Sequence, residues 1–330
     1  MLELLPWQTS QWQLLAAAIS QNKLHHALLL TGPDGIGLGH FANVLAARLL
    51  CHQAGADFMC GNCKSCLLFN AGNHPDLMLL EPEETGKQIK VDLVRELIAF
   101  MQQTNQYGRK KIAIFDPAEA MNRSSANSLL KTLEEPPADT LIMLISHQPG
   151  LLPVTIRSRC QRLIFHPSYS ATTISWLWQN AGTNDIDMAE LLEIAQGAPL
   201  KALQLLEQDP IGKRQSLLQD LIDIRRTNVN VVKIAEKWLS FDAEQVLLWL
   251  MSFFQQMTHL KLAPGNPQTG NSSGLPYLQE LANELDLAGL VACYDEAAQH
   301  YQALMGPFNL NEQGVLENMI IHWQTTGKHS

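Results

Sequence analysis

Residues 32–39 have the glycine spacing of a phosphate-binding loop, but two groups that do the chemistry of such a loop are missing. In a working loop of the form G-x-x-x-x-G-K-[ST], backbone N–H groups hold the phosphates, the lysine reaches the outer phosphates, and the hydroxyl binds Mg²⁺. Here Leu38 stands at the lysine position and Gly39 at the hydroxyl position. Asp34, inside the loop, adds a negative charge that repels a phosphate. The pattern predicts a loop of the right shape without its positive charge or its metal ligand.

A second candidate site consists of four cysteines within sixteen positions, spaced C-x8-C-x2-C-x2-C. Two residues between cysteines let both sulfur atoms point at one ion, and four thiolates complete a tetrahedral structural zinc site. The spacing predicts Zn²⁺, and His52 or His74 is not needed as a ligand. An iron–sulfur cluster is the main alternative metal centre, while a redox pair or unrelated buried cysteines are less favoured. The four residues are Cys51, Cys60, Cys63 and Cys66.

The composition indicates an ordinary globular protein, because 330 residues of which 46% are hydrophobic suffice for two or three domains with their own cores. The formal net charge of −9 argues against a free-standing DNA-binding protein, which normally carries a basic surplus. No apolar run reaches the roughly 20 residues that span a bilayer, and residues 1–10 lack the pattern of a signal peptide. We therefore expect a cytoplasmic protein, and a reducing compartment favours a metal site over disulfides.

Short apolar segments alternate with helical patterns over the first half of the chain. The segment at residues 26–30 leads into the glycine loop, and residues 38–51 then repeat apolar residues at helical spacing. Asp92 is a predicted N-cap, and a helix predicted over residues 118–134 ends before Pro136. Alternating strands and helices predict a parallel sheet with helices on both faces. The other predicted strands are residues 77–80, 111–115, 141–146 and 162–165.

The strand signal fades after Pro167, and the rest of the chain has helical patterns. Long apolar-periodic segments at residues 243–262 and 290–304 predict a helical bundle, and the polar stretch at 263–274 predicts a surface loop. The sequence thus predicts three domains. The first is an α/β sheet domain over residues 1–166 with a zinc insert at 51–66. The second is a three-helix domain over residues 167–208, with helices predicted at 171–179, 188–196 and 200–207. The third is a helical domain over residues 209–330.

Two further stretches resemble a known protein family. Residues 128–137, SLLKTLEEPP, resemble the helix after the second nucleotide motif of bacterial clamp-loader ATPases, and residues 152–160, LPVTIRSRC, resemble their Ser-Arg-Cys element. The cysteine insert and residues 74–76, HPD, fit the same family, so residues 23–165 look like a clamp-loader subunit of the AAA+ family, with a weaker likeness beyond. The resemblance implies an AAA+ ATPase-like sheet domain, a small three-helix lid and an all-α C-terminal collar bundle.

Most residues that this family uses for ATP hydrolysis are replaced. In the motor subunits the second motif reads Asp-Glu, where the Asp holds the Mg²⁺ shell and the Glu prepares the attacking water; here Asp116 is kept and Pro117 replaces the Glu. The family's lid arginine falls on Leu200, with Lys201 beside it. Because phosphoryl transfer depends on positioned charge, we expect no ATP hydrolysis by this chain and weak nucleotide binding. The remnants of the nucleotide site are Gly32, Gly35, Gly37 and Asp116.

One charged element of the family is kept. Arg159 matches the arginine that reaches across a subunit boundary into a neighbour's ATP site, so the resemblance implies that it acts as an arginine finger in trans. Such an arginine is worth on the order of 10³ to 10⁵ in rate in related phosphoryl transfer systems. The alternative is a surface arginine paired with a nearby carboxylate. Arg157 is a weaker candidate for the same role.

The resemblance implies a non-catalytic, stator-like subunit of the DNA polymerase III clamp loader, which helps load the sliding clamp onto primed DNA during replication. Its implied partners are the ATP-hydrolysing motor subunit (gamma/tau), the delta subunit and the sliding clamp, with primed DNA reached through the assembled complex and no membrane involved. Two other functions stay open: an active motor ATPase with a variant phosphate loop, and a zinc-dependent DNA-binding module.

Overall fold

The computed structural model describes residues 2–53, 58–84, 86–107, 109–182, 186–227, 229–262, 274–306 and 310–327. These residues form two compact units. The first contains the described residues of Met1–Asn184 and Ala195–Gln204, and the second contains those of Asp185–Ile194 and Leu205–Ser330. The three domains predicted from the sequence stay a prediction. Most of the predicted surface loop, residues 263–273, lies outside the described residues.

The first unit is built on five strands: β1 (Ala27–Thr31), β2 (Leu77–Leu80), β3 (Lys111–Phe115), β4 (Thr140–Ser146) and β5 (Gln161–Ile164). They form one parallel sheet in the order β2-β3-β4-β1-β5. The central strands β1, β3 and β4 are buried along their whole length, as expected for a parallel sheet with both faces covered. The predicted α/β architecture with a parallel sheet is therefore confirmed.

One helix precedes the first strand, and further helices connect or follow the strands along the chain. In the first unit they are α1 (Thr9–Ser20), α2 (Leu38–Leu50), α3 (Lys64–Asn70), α4 (Val91–Gln102), α5 (Arg123–Glu134), α6 (Val154–Arg157), α7 (Ala171–Asn180) and α9 (Pro199–Leu205); α8 (Met188–Ile194) belongs to the second unit.

Alternate residues of a strand point to opposite faces of the sheet, and each face has its own apolar core. Leu28 and Leu30 of β1 belong to the core that includes Phe41 of α2. Leu29, between them, belongs to the core that includes Leu97 of α4 and residues of α5. Because β1 is central and buried on both sides, the loop that follows it leaves the sheet from a rigid position.

Two predicted helix starts are wrong. Residues 118–134 do not form one helix: Ala118–Ala120 is a 3₁₀ turn, and α5 begins later because Asn122 caps it by accepting the N–H of Ser125 (2.8 Å). Asp92 is not an N-cap, since α4 begins one residue before it; its carboxylate lies in the first turn, where negative charge also favours a helix N-terminus.

The second unit is helical and contains, besides α8, the helices α10 (Pro210–Arg226), α11 (Val231–Leu239), α12 (Ala243–Leu262), α13 (Leu275–Glu284), α14 (Leu287–Leu304) and α15 (Glu312–Thr325). Trp238, Trp249 and Trp323 are fully buried among them. Two of these indoles donate inside the bundle, Trp238 to the Asp220 carboxylate and Trp323 to the carbonyl of Leu221 (2.9 Å each). The predicted bundle is confirmed in this unit. Across the described ranges, no helix has both the length and the apolar character that crossing a membrane requires.

Candidate functional site

The glycine loop joins the end of β1 to the start of α2, the place where a phosphate-binding loop lies. Gly35 and Gly37 both have left-handed backbone conformations, with φ values of 75° and 84°. Gly37 is the residue before α2, so the chain turns sharply from strand into helix there. The predicted strand, loop and helix are thus present with the turn that the glycines permit.

Two polar backbone groups of the loop already have partners in this chain. The Asp34 carboxylate accepts the backbone N–H of Gly35 (2.8 Å), a group of the kind that would hold a phosphate in a working loop. The Gly32 carbonyl accepts from Nδ1 of His147 (3.1 Å). A phosphate would therefore have to displace a carboxylate from the amide that it needs.

A segment near the N-terminus covers the loop from one side. The indole N–H of Trp7 donates to the carbonyl of Ile36 (2.9 Å). The Gln8 amide donates to the carbonyl of Gly37 (2.8 Å) and lies 3.1 Å from that of Ile36. Gln8 and Ile36 are fully buried. The N-terminal segment thus fixes the loop by hydrogen bonds to two of its carbonyl groups.

The start of α9 covers the loop from another side. The backbone N–H of Leu200 donates to the carbonyl of Gly35 (3.0 Å). A Cβ atom added to Gly35 would lie 2.5 Å from Cβ of Lys201, and one added to Gly37 would lie 3.2 Å from the Leu200 side chain. Leu200, the residue at which the resemblance predicts a lid arginine, therefore packs directly on the loop.

Asp116 lies at the carboxyl end of β3, beside the start of α2. A Cβ atom added to Gly39 would lie 2.8 Å from Oδ2 of Asp116, so the carboxylate occupies the space of the missing hydroxyl side chain. Burial, the largest effect, raises the pKa of Asp116, although His147 acts against it. Gly39 offers no hydroxyl beside this carboxylate, so the Mg²⁺ ligand that a Ser or Thr supplies in a working loop is missing here.

Sequence reasoning missed one carboxylate at this edge of the sheet. Glu119 accepts the backbone N–H groups of His147 (2.9 Å) and Gln148 (3.0 Å) through Oε1. It also lines a cavity of about 430 Å³ together with Asp116 and Pro117. The sequence does place this acidic residue three positions after Asp116, which could have marked it as a neighbour of the site. Its Oε1 atom already anchors the loop after β4 to the sheet edge.

Arg159 lies just after α6 and is paired with a carboxylate of its own chain. Its Nε donates to Oε1 of Glu134 (2.9 Å), Nη2 donates to the same oxygen, and Nη1 donates to the carbonyl of Thr155 (2.9 Å). About a third of the side chain (33%) is exposed. The two motifs that carried the family resemblance therefore meet in space, since Glu134 ends the SLLKTLEEPP helix.

The four predicted cysteines come together at the ends of two helices. Cys51 directly follows α2, Cys63 caps α3, and Cys66 lies inside α3. All four Sγ atoms lie within 4.8 Å of one another. The Cys63 and Cys66 sulfurs are 3.4 Å apart, and those of Cys60 and Cys66 are 3.8 Å apart. Four tetrahedral Zn–S bonds of about 2.3 Å place sulfurs about 3.8 Å apart, so the set fits a single zinc ion.

The surroundings of three of the four cysteines also favour thiolates. Three of the sulfurs accept a backbone N–H. The Cys51 sulfur accepts that of Cys60 (3.3 Å), the Cys60 sulfur accepts that of Cys63 (3.4 Å), and the Cys63 sulfur accepts that of Cys66 (3.5 Å). Burial alone raises the pKa of Cys63, but hydrogen bonds from Cys66 and His52 outweigh it and lower the pKa to about 6. Burial raises the pKa of Cys66 to about 12. An iron–sulfur cluster, in which several irons separate the thiolates, fits such closely spaced sulfurs less well.

The strand order and the glycine loop between β1 and α2 define an α/β protein of the phosphate-loop type whose loop is closed by its own chain. A family model described as "DNA polymerase III, delta subunit" matches residues 7–168, and one described as "DNA polymerase III, delta subunit, C terminal" matches residues 208–325.

Two relatives match over nearly their whole length. DNA polymerase III subunit delta′ of Pseudomonas aeruginosa is 35% identical, with 98% of both chains covered. The subunit delta′ of Escherichia coli K12 is 30% identical, with 96% of this chain and 94% of that chain covered. A subunit tau/gamma of Haemophilus influenzae is 35% identical over 61% of this chain and 30% of that chain. The chain belongs to the DNA polymerase III subunit delta′ family.

Proposed function

We propose that this chain is an accessory subunit of the DNA polymerase III clamp loader that helps load the sliding clamp onto primed DNA without hydrolysing ATP itself. Family membership supports the clamp-loader role. The observation that carries the proposal is the closed loop, whose backbone carbonyl groups accept hydrogen bonds from Trp7, Gln8 and Leu200 of the same chain.

The expected lack of turnover follows from the chemistry of phosphoryl transfer, which needs positioned charge around the outer phosphate and Mg²⁺. Leu38 supplies no cation, and Gly39 supplies no metal ligand. Pro117 stands where a carboxylate would activate water, and Leu200 replaces the lid arginine. With all four groups missing, the site has no means to stabilise the transferring phosphoryl group. We infer that Gly32, Gly35, Gly37 and Asp116 are retained as scaffold.

Nucleotide titration of the isolated full-length chain tests this proposal. We expect no Mg²⁺-dependent binding of ATP at micromolar concentrations and no release of phosphate. A motor subunit measured in the same buffer is the positive control. Micromolar, Mg²⁺-dependent affinity with turnover would overturn the proposal and favour an active motor ATPase with a variant loop.

For Arg159 we propose the role of an arginine finger in trans, directed at the ATP site of a neighbouring motor subunit. Its guanidinium lies at the surface and is held by a partly exposed pair with Glu134, so it can be released at small cost. By likeness to relatives that are named subunits tau/gamma and delta′, we propose the gamma/tau motor subunit, the delta subunit and the sliding clamp as partners. Primed DNA is contacted through the assembled complex.

For the cysteine cluster we propose a structural Zn²⁺ held by Cys51, Cys60, Cys63 and Cys66. Four thiolates leave no open coordination position, so the ion would fold the segment between α2 and α3 and would not act in catalysis. We also keep the three-domain division at residues 166 and 208 and the cytoplasmic location as proposals.

A further inference from the structure

A buried hydroxyl joins the two helix ends that carry the cysteines. Ser65 is fully buried, and its hydroxyl oxygen lies 2.7 Å from the carbonyl oxygen of Leu50. Leu50 ends α2, and the last carbonyls of a helix have no partner within it. Cys51 follows Leu50 directly, and Cys66 follows Ser65. The hydrogen bond therefore fixes the peptide that carries one cysteine against the peptide that carries another.

The buried ring of His74 sets the direction of this hydrogen bond. Its Nδ1 lies 3.1 Å from the backbone nitrogen of Asp76, and because an N–H only donates, Nδ1 accepts and the proton is on Nε2. Nε2 lies 2.8 Å from the Ser65 hydroxyl oxygen and donates to it. The Ser65 hydrogen is then left for the carbonyl of Leu50. Burial lowers the pKa of His74, which favours this neutral ring.

Asp76 fixes the turn that carries His74 to the sheet. Its buried carboxylate accepts the N–H groups of Gln106 (2.9 Å) and Tyr107 (3.0 Å) and lies 3.4 Å from Nζ of Lys111. Its backbone carbonyl accepts an N–H of β3 (2.9 Å). The anchor of the His74 ring is thus the sheet and not the cysteine segment.

We propose that His74 and Ser65 are positioning residues of the cysteine site: they hold α3 against the end of α2 and so place Cys66 and Cys51 for Zn²⁺. This inference rests on the proposed zinc site. Neither residue is a ligand, because Nε2 of His74 and the Ser65 hydroxyl are used in their own hydrogen bond. Outer partners of metal ligands typically contribute about 10- to 100-fold in metal affinity.

Zinc affinity of the full-length chain, measured by competition with a chromogenic chelator, tests the inference. Ser65→Ala and His74→Phe are each expected to weaken Zn²⁺ binding by about 10- to 100-fold. The double variant is expected to have the same Zn²⁺ affinity as the single variant with the larger loss, because both changes break one chain of hydrogen bonds. His74→Gln, whose amide N–H can reach Ser65, is expected to recover most of the loss.

Ser125→Ala is the matched control. Ser125 is equally buried and its hydroxyl donates to the carbonyl of Ile89 (2.8 Å), away from the cysteines. It is expected to lower stability while leaving zinc affinity unchanged. Wild-type affinity in Ser65→Ala and His74→Phe would overturn the inference and leave the zinc site standing. A wild-type chain that binds no Zn²⁺ would overturn the zinc site itself. If Ser65→Ala does not fold, the His74→Phe and His74→Gln pair gives the same test.

Discussion

Arg159 donates two hydrogen bonds to one carboxylate oxygen, Oε1 of Glu134, across 25 positions of the chain. The two residues lie in the two sequence motifs that point most directly to the clamp-loader family. Half of the Glu134 side chain (50%) is exposed. In the trans role that we propose, this pair holds the guanidinium at the surface of the free subunit until a neighbour's phosphates replace the carboxylate.

The Arg159–Glu134 pair is expected to matter little for stability. Arg159→Ala and Glu134→Ala should each change the free energy of unfolding of the isolated chain by less than about 1 kcal/mol, as is usual for exposed pairs. Urea unfolding of both variants measures this. A loss of several kcal/mol in either one would make the pair a structural element and argue against its release.

Closure of the glycine loop by α9 predicts that Gly35→Ala is costly. The substitution forces a side chain into a left-handed conformation and brings its Cβ within 2.5 Å of Cβ of Lys201, so we expect a loss of more than about 2 kcal/mol in urea unfolding. Gly72→Ala is the control, because Gly72 has a similar φ of 71° with nothing within 4 Å of the added atom. It should lose only about 1 kcal/mol. Equal losses would mean that α9 does not pack on the loop.

The proposed zinc site predicts one Zn²⁺ per chain by elemental analysis. Cys63→Ser removes a thiolate and should abolish stoichiometric zinc, and chelation of the wild type should lower its melting temperature. Cys293→Ser, at a buried cysteine outside the cluster, should keep the metal. Iron with visible charge-transfer absorption in the purified chain would instead indicate an iron–sulfur cluster.

The lowered pKa of the buried Asp76 predicts that the stability of the chain depends on pH. Burial raises its pKa, but hydrogen bonds from Gln106, Tyr107 and Lys111 outweigh this effect and lower the pKa below the usual value of a carboxyl group. The stabilisation is therefore present above the pKa of the unfolded chain, about 3.9, and is lost as the pH falls through the lower folded-state pKa.

Asp76→Asn should cost about 3–5 kcal/mol at pH 7, because it leaves the buried Lys111 without its partner. It should also flatten the loss of stability that the wild type shows as the pH falls from about 5 through the folded-state pKa of Asp76. Urea unfolding over a pH series measures both effects. Asp92→Asn, at an exposed pair, should change little. An acid profile of Asp76→Asn that parallels the wild type would contradict the assigned role of Asp76.

Local patterns predicted much of the fold. The five strands follow from short apolar runs, two of the bundle helices, α12 and α14, follow from apolar periodicity, and the clustering of the cysteines follows from their spacing. The sequence did not reveal the burial of Lys111, because residues 109–111 are a short basic run that is typical of a solvated turn. In the structure Lys111 is buried and paired with Asp76. A pairing across 35 positions leaves no local signal.

Closure of the glycine loop was equally hidden from the sequence. Leu38 and Gly39, which stand at the lysine and hydroxyl positions, predict the loss of a charge and of a metal ligand. They do not predict which segments cover the loop. Those contacts join residues far apart in the chain, such as Trp7 with Ile36 and Leu200 with Gly35. Tertiary packing of this kind depends on the assembled sheet, and no local propensity encodes it.

We propose that this chain contributes Arg159, and not an ATP site of its own, to clamp loading. The most direct measurement is the rate of DNA- and clamp-stimulated ATP hydrolysis by a reconstituted clamp loader whose delta′-family subunit carries Arg159→Ala or Glu134→Ala. We expect Arg159→Ala to lower the overall rate, because hydrolysis at the motor site that faces Arg159 slows by about 10³-fold or more. We expect Glu134→Ala to keep the wild-type rate. A wild-type rate with Arg159→Ala would contradict the proposed role of Arg159.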